Sequence, residues 1–425
     1  MTCEVAVMNK RGIALAADSA VTVSDGDGGR KKIYSTAEKL FCLSPKLPVA
    51  VMTYGSADIM GVPWETVVKV YAQKLDGQRF DTLAEYAQDF FGFIEGADRL
   101  LPPTTQTRWL QSLIYNFWKE FYVDELKRGL AEEEKIGHKA KQKRLAAIIK
   151  ADHEDWERYR DLACAGPDYG QHVRETFAGA LDEVERDLFE GFSLTPALKE
   201  ALRKTVEFAY QKDWFHPRDR GHVVIAGMGE AEPFPVLLMY DVGTLAAGTL
   251  RYRKTDETRV GRDADGTVAP FGQHEMINSL IEGIHPRVFK EVAEAAIRLA
   301  RAQNDDREDD DEGLDDFDDA DDGGDAERVA EQGRAFALSV RKNILEPYAD
   351  PLLSAVSALP RQDLAKMAES LVSLTAFLMR MSTSEDQTVA EPVDVALLSK
   401  GDGFVWVKHK DVRALVQERQ VVCGV

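Results

Sequence analysis

The stretch MTCEVAVMNKRGIALAADSAVT at residues 1–22 sets the tightest limit on what this chain can fold into. Cys3–Met8 is apolar and rich in valine, NKRG has turn composition, and Ile13–Ala17 is a second apolar run. Two short apolar runs around a turn predict a β-hairpin. Most domains leave their first residues loose. Here the strand pattern starts at once, so residue 2 is expected at the rim of a folded core.

The chain has 425 residues, enough for one large domain or two ordinary ones, and 44% of them are apolar. The opening residues lack the basic start and long apolar stretch of a secretion signal. No run approaches the ~20 apolar residues of a membrane span. Cys3, Cys42, Cys164 and Cys423 are scattered without metal or disulfide spacing. They predict thiols in a reducing cytoplasm. The net charge is −20, but 15 acidic residues and one arginine are concentrated in residues 305–327. The remainder, at about −6, shows no basic patch, so a nucleic-acid binder is not expected. The run itself (taken as 303–327) predicts a solvated, disordered loop.

Three segments are expected along the chain. Residues 2–103 begin strand-rich and end in two helices. In the first of these, Trp64, Val67, Val68 and Tyr71 fall at helical spacing. Residues 104–216 are helical and charged, an insertion into the core. Residues 217–425 return to strands at HVVIAGMG, PVLLMYDVG and GTLRYRK. Helices follow, interrupted by the acidic run, and then a last strand pair, VDVALLSK and GFVWVKH, joined by GDG. Strands at both ends of the chain predict a shared sheet system.

Four features carry possible chemistry. If Met1 is trimmed, as is usual before a small side chain, Thr2 presents a hydroxyl and a free α-amine together. That amine, with a pKa near ~8, can take the hydroxyl proton. Asp18 closes the second apolar run; its bland role is a turn or cap. Lys32 lies in GGRKKIY, where an exposed loop lysine is the ordinary expectation. Near a threonine oxygen its charge would favour the alkoxide. Finally, TYGSADIMG is a glycine turn between strand and helix whose N–H groups can face a developing oxyanion.

Taken in order, Thr2, AADS ending at Asp18 and Ser19, KKI, and the glycine turn resemble the catalytic β-type subunits of the proteasome family. They also resemble the bacterial ATP-dependent peptidase that partners an unfoldase ring. Both are N-terminal nucleophile hydrolases. The resemblance implies an α+β fold, an αββα four-layer sandwich. It implies Thr2 as nucleophile, Asp18 as orienting carboxylate and Lys32 as stabilising cation, with Lys31 the weaker candidate. Tyr54 or Gly55 would supply the oxyanion N–H. Thr22 would pair with substrate backbone, and Met52 would line the specificity pocket. It implies no cofactor and no metal. Its partners would be a peptide or unfolded-protein substrate, further copies of the chain in a ring, and an ATPase unfoldase. The resemblance covers residues 2–103, 221–290 and 365–410, about half the chain.

There are departures. The linker before Lys32 is two residues shorter than the usual pattern, and Tyr54 stands where a glycine is usual. Near the closing hairpin Asp386 is a poor match for the supporting aspartate, and Glu391 replaces a small residue. Two other readings stay open: a small-molecule amidase or acylase on the same nucleophile, and a proteasome-like scaffold without activity.

Overall fold

The structure is a computed structural model. It describes residues 2–24, 31–34, 37–130, 137–262, 264–308, 335–336, 338–340, 342–343, 346–381, 389 and 391–410. The chain divides into two compact units that interleave in sequence. The first comprises residues 1–35, 260–395 and 407–425, and the second residues 36–259 and 396–406.

The first unit is built on the expected hairpin, β1 (Cys3–Asn9) and β2 (Gly12–Ala17). Every residue of both strands is buried. Burial on both faces explains why their sequences run apolar instead of alternating. A short hairpin follows, β3 (Val21–Ser24) with β4 (Lys31–Tyr34). The helices Glu346–Ala358 and Arg361–Met381 pack on this sheet, the second against both β1 and β2. Its buried positions Leu364, Ala365, Ala368, Leu371, Val372, Thr375, Ala376 and Met379 recur every three or four residues, as a helix face requires. The helix Pro286–Glu308 carries regular structure into the first acidic residues, which the sequence placed in a loop. Residues 309–327 of that run, and Asp386, lie outside the described residues.

The second unit holds β5 (Leu40–Cys42), β6 (Val49–Tyr54), and the two-residue strands β7 (Asp58–Ile59) and β8 (Val62–Pro63). Its long strands are β9 (Gly221–Gly227), β10 (Val236–Ala246) and β11 (Thr249–Arg259). They form a five-stranded sheet in the order β11-β10-β9-β6-β5, antiparallel at each pairing. The helices Trp64–Leu75 and Leu83–Glu95 close a core with it through Trp64, Val67, Val68, Tyr71, Phe90 and Phe91. The second helix starts at a capping box. The Thr82 side chain accepts from the Glu85 N–H while the Glu85 carboxylate takes the Thr82 N–H. The described residues between Pro103 and Gln211 are mostly helical and hold a separate cluster that includes Trp118, Tyr122, Leu181 and Leu202.

Later strands are β12 (Gly266–Gly272), β13 (Asp394–Ser399) and β14 (Gly403–Lys408). The first sheet runs β12-β1-β2-β13-β14. The shared sheet system expected from the sequence is therefore two larger sheets: the strands at the chain ends share one, and β9–β11 join β5 and β6 in the other. The fold is mixed, with antiparallel sheets and helices. At the β13–β14 turn, in the second unit, Lys400 Nζ donates to the carbonyls of Gly229, Glu230 and Glu232, each at 2.7 Å. Among the described residues no helix is long and apolar enough to cross a membrane.

Candidate active site

Thr2 sits at the start of β1, and Asp18 follows the last residue of β2. Antiparallel pairing of the two strands therefore brings residues sixteen apart to the same end of the ladder. The backbones close the junction: Asp18 N–H donates to Cys3 O at 3.1 Å, and Cys3 N–H to Asp18 Oδ1 at 2.9 Å. Thr2 Oγ1 then lies 2.7 Å from Asp18 Oδ1. The Ala20 N–H donates to Asp18 Oδ2 at 2.9 Å and fixes the carboxylate plane. Thr2 is 6% exposed and Asp18 1%. A hydroxyl bonded to a carboxylate away from water makes a strong contact, worth about 1.5–3 kcal/mol.

A second carboxylate was not anticipated. Glu4, fully buried, brings Oε1 to 3.0 Å from Thr2 Oγ1. The hydroxyl carries one hydrogen, so it serves one acceptor at a time, and the shorter contact is to Asp18. Both oxygens are within the reach required of a general base. The signal was present in the sequence, because residues two apart on a strand share a face.

The Thr2 backbone is also held. Gln273 N–H donates to Thr2 O at 2.6 Å. Gly272 has φ +66°, and a Cβ there would stand 2.1 Å from Thr2 O and 3.1 Å from Thr2 Cγ2. Only glycine allows β12 this close to the threonine.

Behind Asp18 is a buried polar brace. Ser19 Oγ donates to Pro392 O at 2.7 Å and accepts from Lys410 Nζ at 2.7 Å. Lys410 Nζ pairs with Asp394 Oδ2 at 2.9 Å; the two side chains are 6% and 1% exposed. Asp394 Oδ1 also takes the Lys410 N–H at 2.9 Å and meets His409 Nδ1 at 3.1 Å. Sequence reading looked for support near Asp386 and Glu391. The described carboxylate that braces Ser19, through Lys410, is Asp394, the first residue of β13.

Of the other expected residues, Lys32 lies in β4 opposite Val23, Lys31 opposite Ser24, and Thr22 opposite Ile33. Met52, Tyr54 and Gly55 belong to the second unit. Met52 is fully buried in β6, between Leu40 and Val224 on the neighbouring strands. Tyr54 is half-buried at the end of β6 and stacks on His222, ring centres 4.4 Å apart at 11°. Gly55 follows with φ +82°.

Tyr54 begins a row of directly opposed residues across four strands: Tyr54 on β6, His222 on β9, Asp241 on β10 and Arg253 on β11. His222 Nδ1 lies 2.8 Å from Asp241 Oδ1, Arg253 donates to Asp241 Oδ2 at 2.7 Å, and Asp213 holds Arg253 at 2.9 Å. Burial pushes the Asp241 carboxyl up. The hydrogen bonds and charges of His222 and Arg253 outweigh it and hold the group below the usual carboxylate range.

No protein-family model matches the chain, and no curated protein matches it significantly. Similar solved structures include an Anbu (Gly-1) mutant from Hyphomicrobium sp. strain MC1. It is 10% identical, with 100% of this chain and 98% of that one covered, at a TM-score of 0.27. Anbu (ancestral beta-subunit) from Yersinia bercovieri is 9% identical, covering 98% and 92%, at 0.26. The helical assembly of the Anbu complex from Pseudomonas aeruginosa is 10% identical, covering 99% and 93%, also at 0.26. Overlap at these TM-scores leaves fold and chemistry to be read from the strands and side chains themselves.

Proposed function

We propose that this chain is a proteasome-like amide hydrolase whose nucleophile is Thr2 Oγ1, acting on peptide bonds. The observation that supports this reading most directly is the buried 2.7 Å hydrogen bond between Thr2 Oγ1 and Asp18. It joins the two residues that the sequence resemblance pairs. In the proposed reaction Oγ1 adds to the substrate carbonyl carbon, and its proton passes to the free α-amine of Thr2. The tetrahedral centre then collapses, the C–N bond breaks, and the amine returns the proton to the leaving nitrogen. Water hydrolyses the resulting ester by the same route. Lys32 stabilises the oxygen as it loses its proton. A backbone N–H of Tyr54 or Gly55 receives the oxyanion, for which no glycine side chain is needed. The reading calls on no metal or organic cofactor. The αββα layering and a cytoplasmic setting, which suits four scattered cysteines, belong to it as well.

Intact-mass measurement tests it. The purified chain is expected to lack Met1 and to gain one adduct from a threonine-reactive β-lactone, while Thr2→Ala gains none. Met1 retained, or Thr2 acetylated, on every molecule would remove the amine base and with it this mechanism.

A homo-oligomer, as a ring, is part of the same proposal, because a peptidase nucleophile open to the cell would cut indiscriminately. Light scattering at micromolar concentration is expected to give a multiple of the 47.4 kDa chain mass. A sharp monomer overturns the ring.

A further inference from the structure

His222, second in the row from Tyr54 to Arg253, borders a cavity of about 430 Å³ contained within the second unit. Gly55, Ser56, Phe215, Arg218, Arg220 and His222 border it, and none of the described lining residues is acidic. In a chain of net charge −20 a basic lining is a local departure. Its size falls in the range of small-ligand sites, roughly 300–1,000 Å³.

The cross-strand row determines what His222 can offer. Asp241 engages Nδ1 and is itself held by Arg253, so the ring is fixed from behind and stacked on Tyr54. The Cδ2–Nε2 edge faces Gly55: a Cβ on Gly55 would lie 2.8 Å from Cδ2 and 3.5 Å from Nε2. Glycine therefore leaves room in front of that edge. Nε2 has no hydrogen-bond partner among the described residues. Arg218 shares its charge with Glu120 at 2.9 Å. Arg220 is exposed and makes no ion pair among the described residues. One uncommitted guanidinium fork and one imidazole edge suit a two-oxygen, singly charged, planar group, and Phe215 with Pro217 supplies an apolar wall for the carbon that bears it.

We propose that this cavity is a carboxylate-binding site, with Arg220 and His222 as its recognition residues. The carboxylate lies against Nε2 and the Arg220 guanidinium, across the ring from the Asp241 contact at Nδ1. The carboxylate comes either from an acidic side chain or from a peptide C-terminus.

Calorimetric titration of the full chain with three probes tests this. They are acetyl-glutamate amide, acetyl-alanyl-alanine with a free C-terminus, and acetyl-glutamine amide as the neutral control. At least one carboxylate probe is expected to bind, at least tenfold more tightly than the control, and the tighter of the two names the source. Arg220→Gln, an exposed change that leaves the core intact, is expected to weaken that probe tenfold or more, and His222→Gln likewise. The site is refuted if neither carboxylate binds, if the glutamine probe binds as well as the glutamate one, or if Arg220→Gln leaves the affinity unchanged. These readouts are of binding alone, so they stand or fall separately from hydrolysis at Thr2.

Discussion

Thr2→Ala is expected to lower hydrolysis of peptide amide reporters by about 10³-fold or more, because it removes the attacking oxygen. Circular dichroism is expected to stay near wild type, while the denaturation midpoint should fall modestly, because the buried hydrogen bond from Thr2 Oγ1 to Asp18, worth about 1.5–3 kcal/mol, goes with the oxygen. In the proposed mechanism Lys32→Ala is expected to be nearly as severe, because it removes the charge assigned to stabilise the alkoxide. Lys31→Ala is expected to be mild, because successive strand positions serve opposite faces and only one of the pair can serve Thr2. Asp18→Asn keeps the shape but replaces the acceptor for the hydroxyl, and should also cripple turnover. Glu4→Gln separates two roles. Loss of activity would mean that the second carboxylate takes part in handling the proton; retained activity would leave Asp18 and the amine to do so. If Thr2→Ala hydrolyses reporters as fast as wild type, the nucleophile is elsewhere. Should Lys31→Ala be the inactive variant of the pair, the assignment across the short linker shifts by one.

The next largest effect falls on stability. Asp394→Leu should destabilise the first unit by about 3–5 kcal/mol, because it leaves the Lys410 ammonium buried without its counter-charge. The double variant Asp394→Leu, Lys410→Met is expected to recover much of that loss, since removing a buried pair together is far cheaper than removing one member. Guanidinium denaturation of the two single variants and the double reads the cycle. A single variant within about 1 kcal/mol of wild type would mean that water already reaches the pair. Because Lys410 also holds Ser19, next to Asp18, the single variant should lose turnover even at temperatures where it remains folded.

Much of this arrangement was legible before any coordinates. The apolar runs around NKRG announced β1 and β2, and the sixteen-residue interval carried Thr2 to Asp18 because a hairpin of that length brings its ends together. Trp64, Val67, Val68 and Tyr71 were read as one helix face and are buried as one. What escaped was what depends on register between distant strands. Tyr54, His222, Asp241 and Arg253 span 199 positions of sequence and stand side by side only because β6, β9, β10 and β11 pair as they do. No local pattern encodes that alignment. Asp394 escapes for a similar reason: it opens β13, and its partners Lys410 and Ser19 are distant in sequence. Glu4 was different. It was within reach of a period-two reading of the first strand, and was passed over as part of an apolar run.

The interleaving of the two units sets an order of events at the ribosome. Residues 36–259 of the second unit emerge as one uninterrupted length. The hairpin β1–β2 emerges before it, yet its sheet neighbours are β12 and β13. The last of them begins at Asp394, which at about 5–20 residues per second follows the hairpin by roughly 20–75 s. Until β12 (Gly266–Gly272) is made the hairpin has two open edges, and until β13 is made it still has one, the condition in which strands pair with the wrong neighbour. A hairpin made before the second unit is thus sealed only after most of it. Slow synthesis lengthens its exposure, so yield in a heterologous host should depend more on chaperone supply than on the stability of the finished fold.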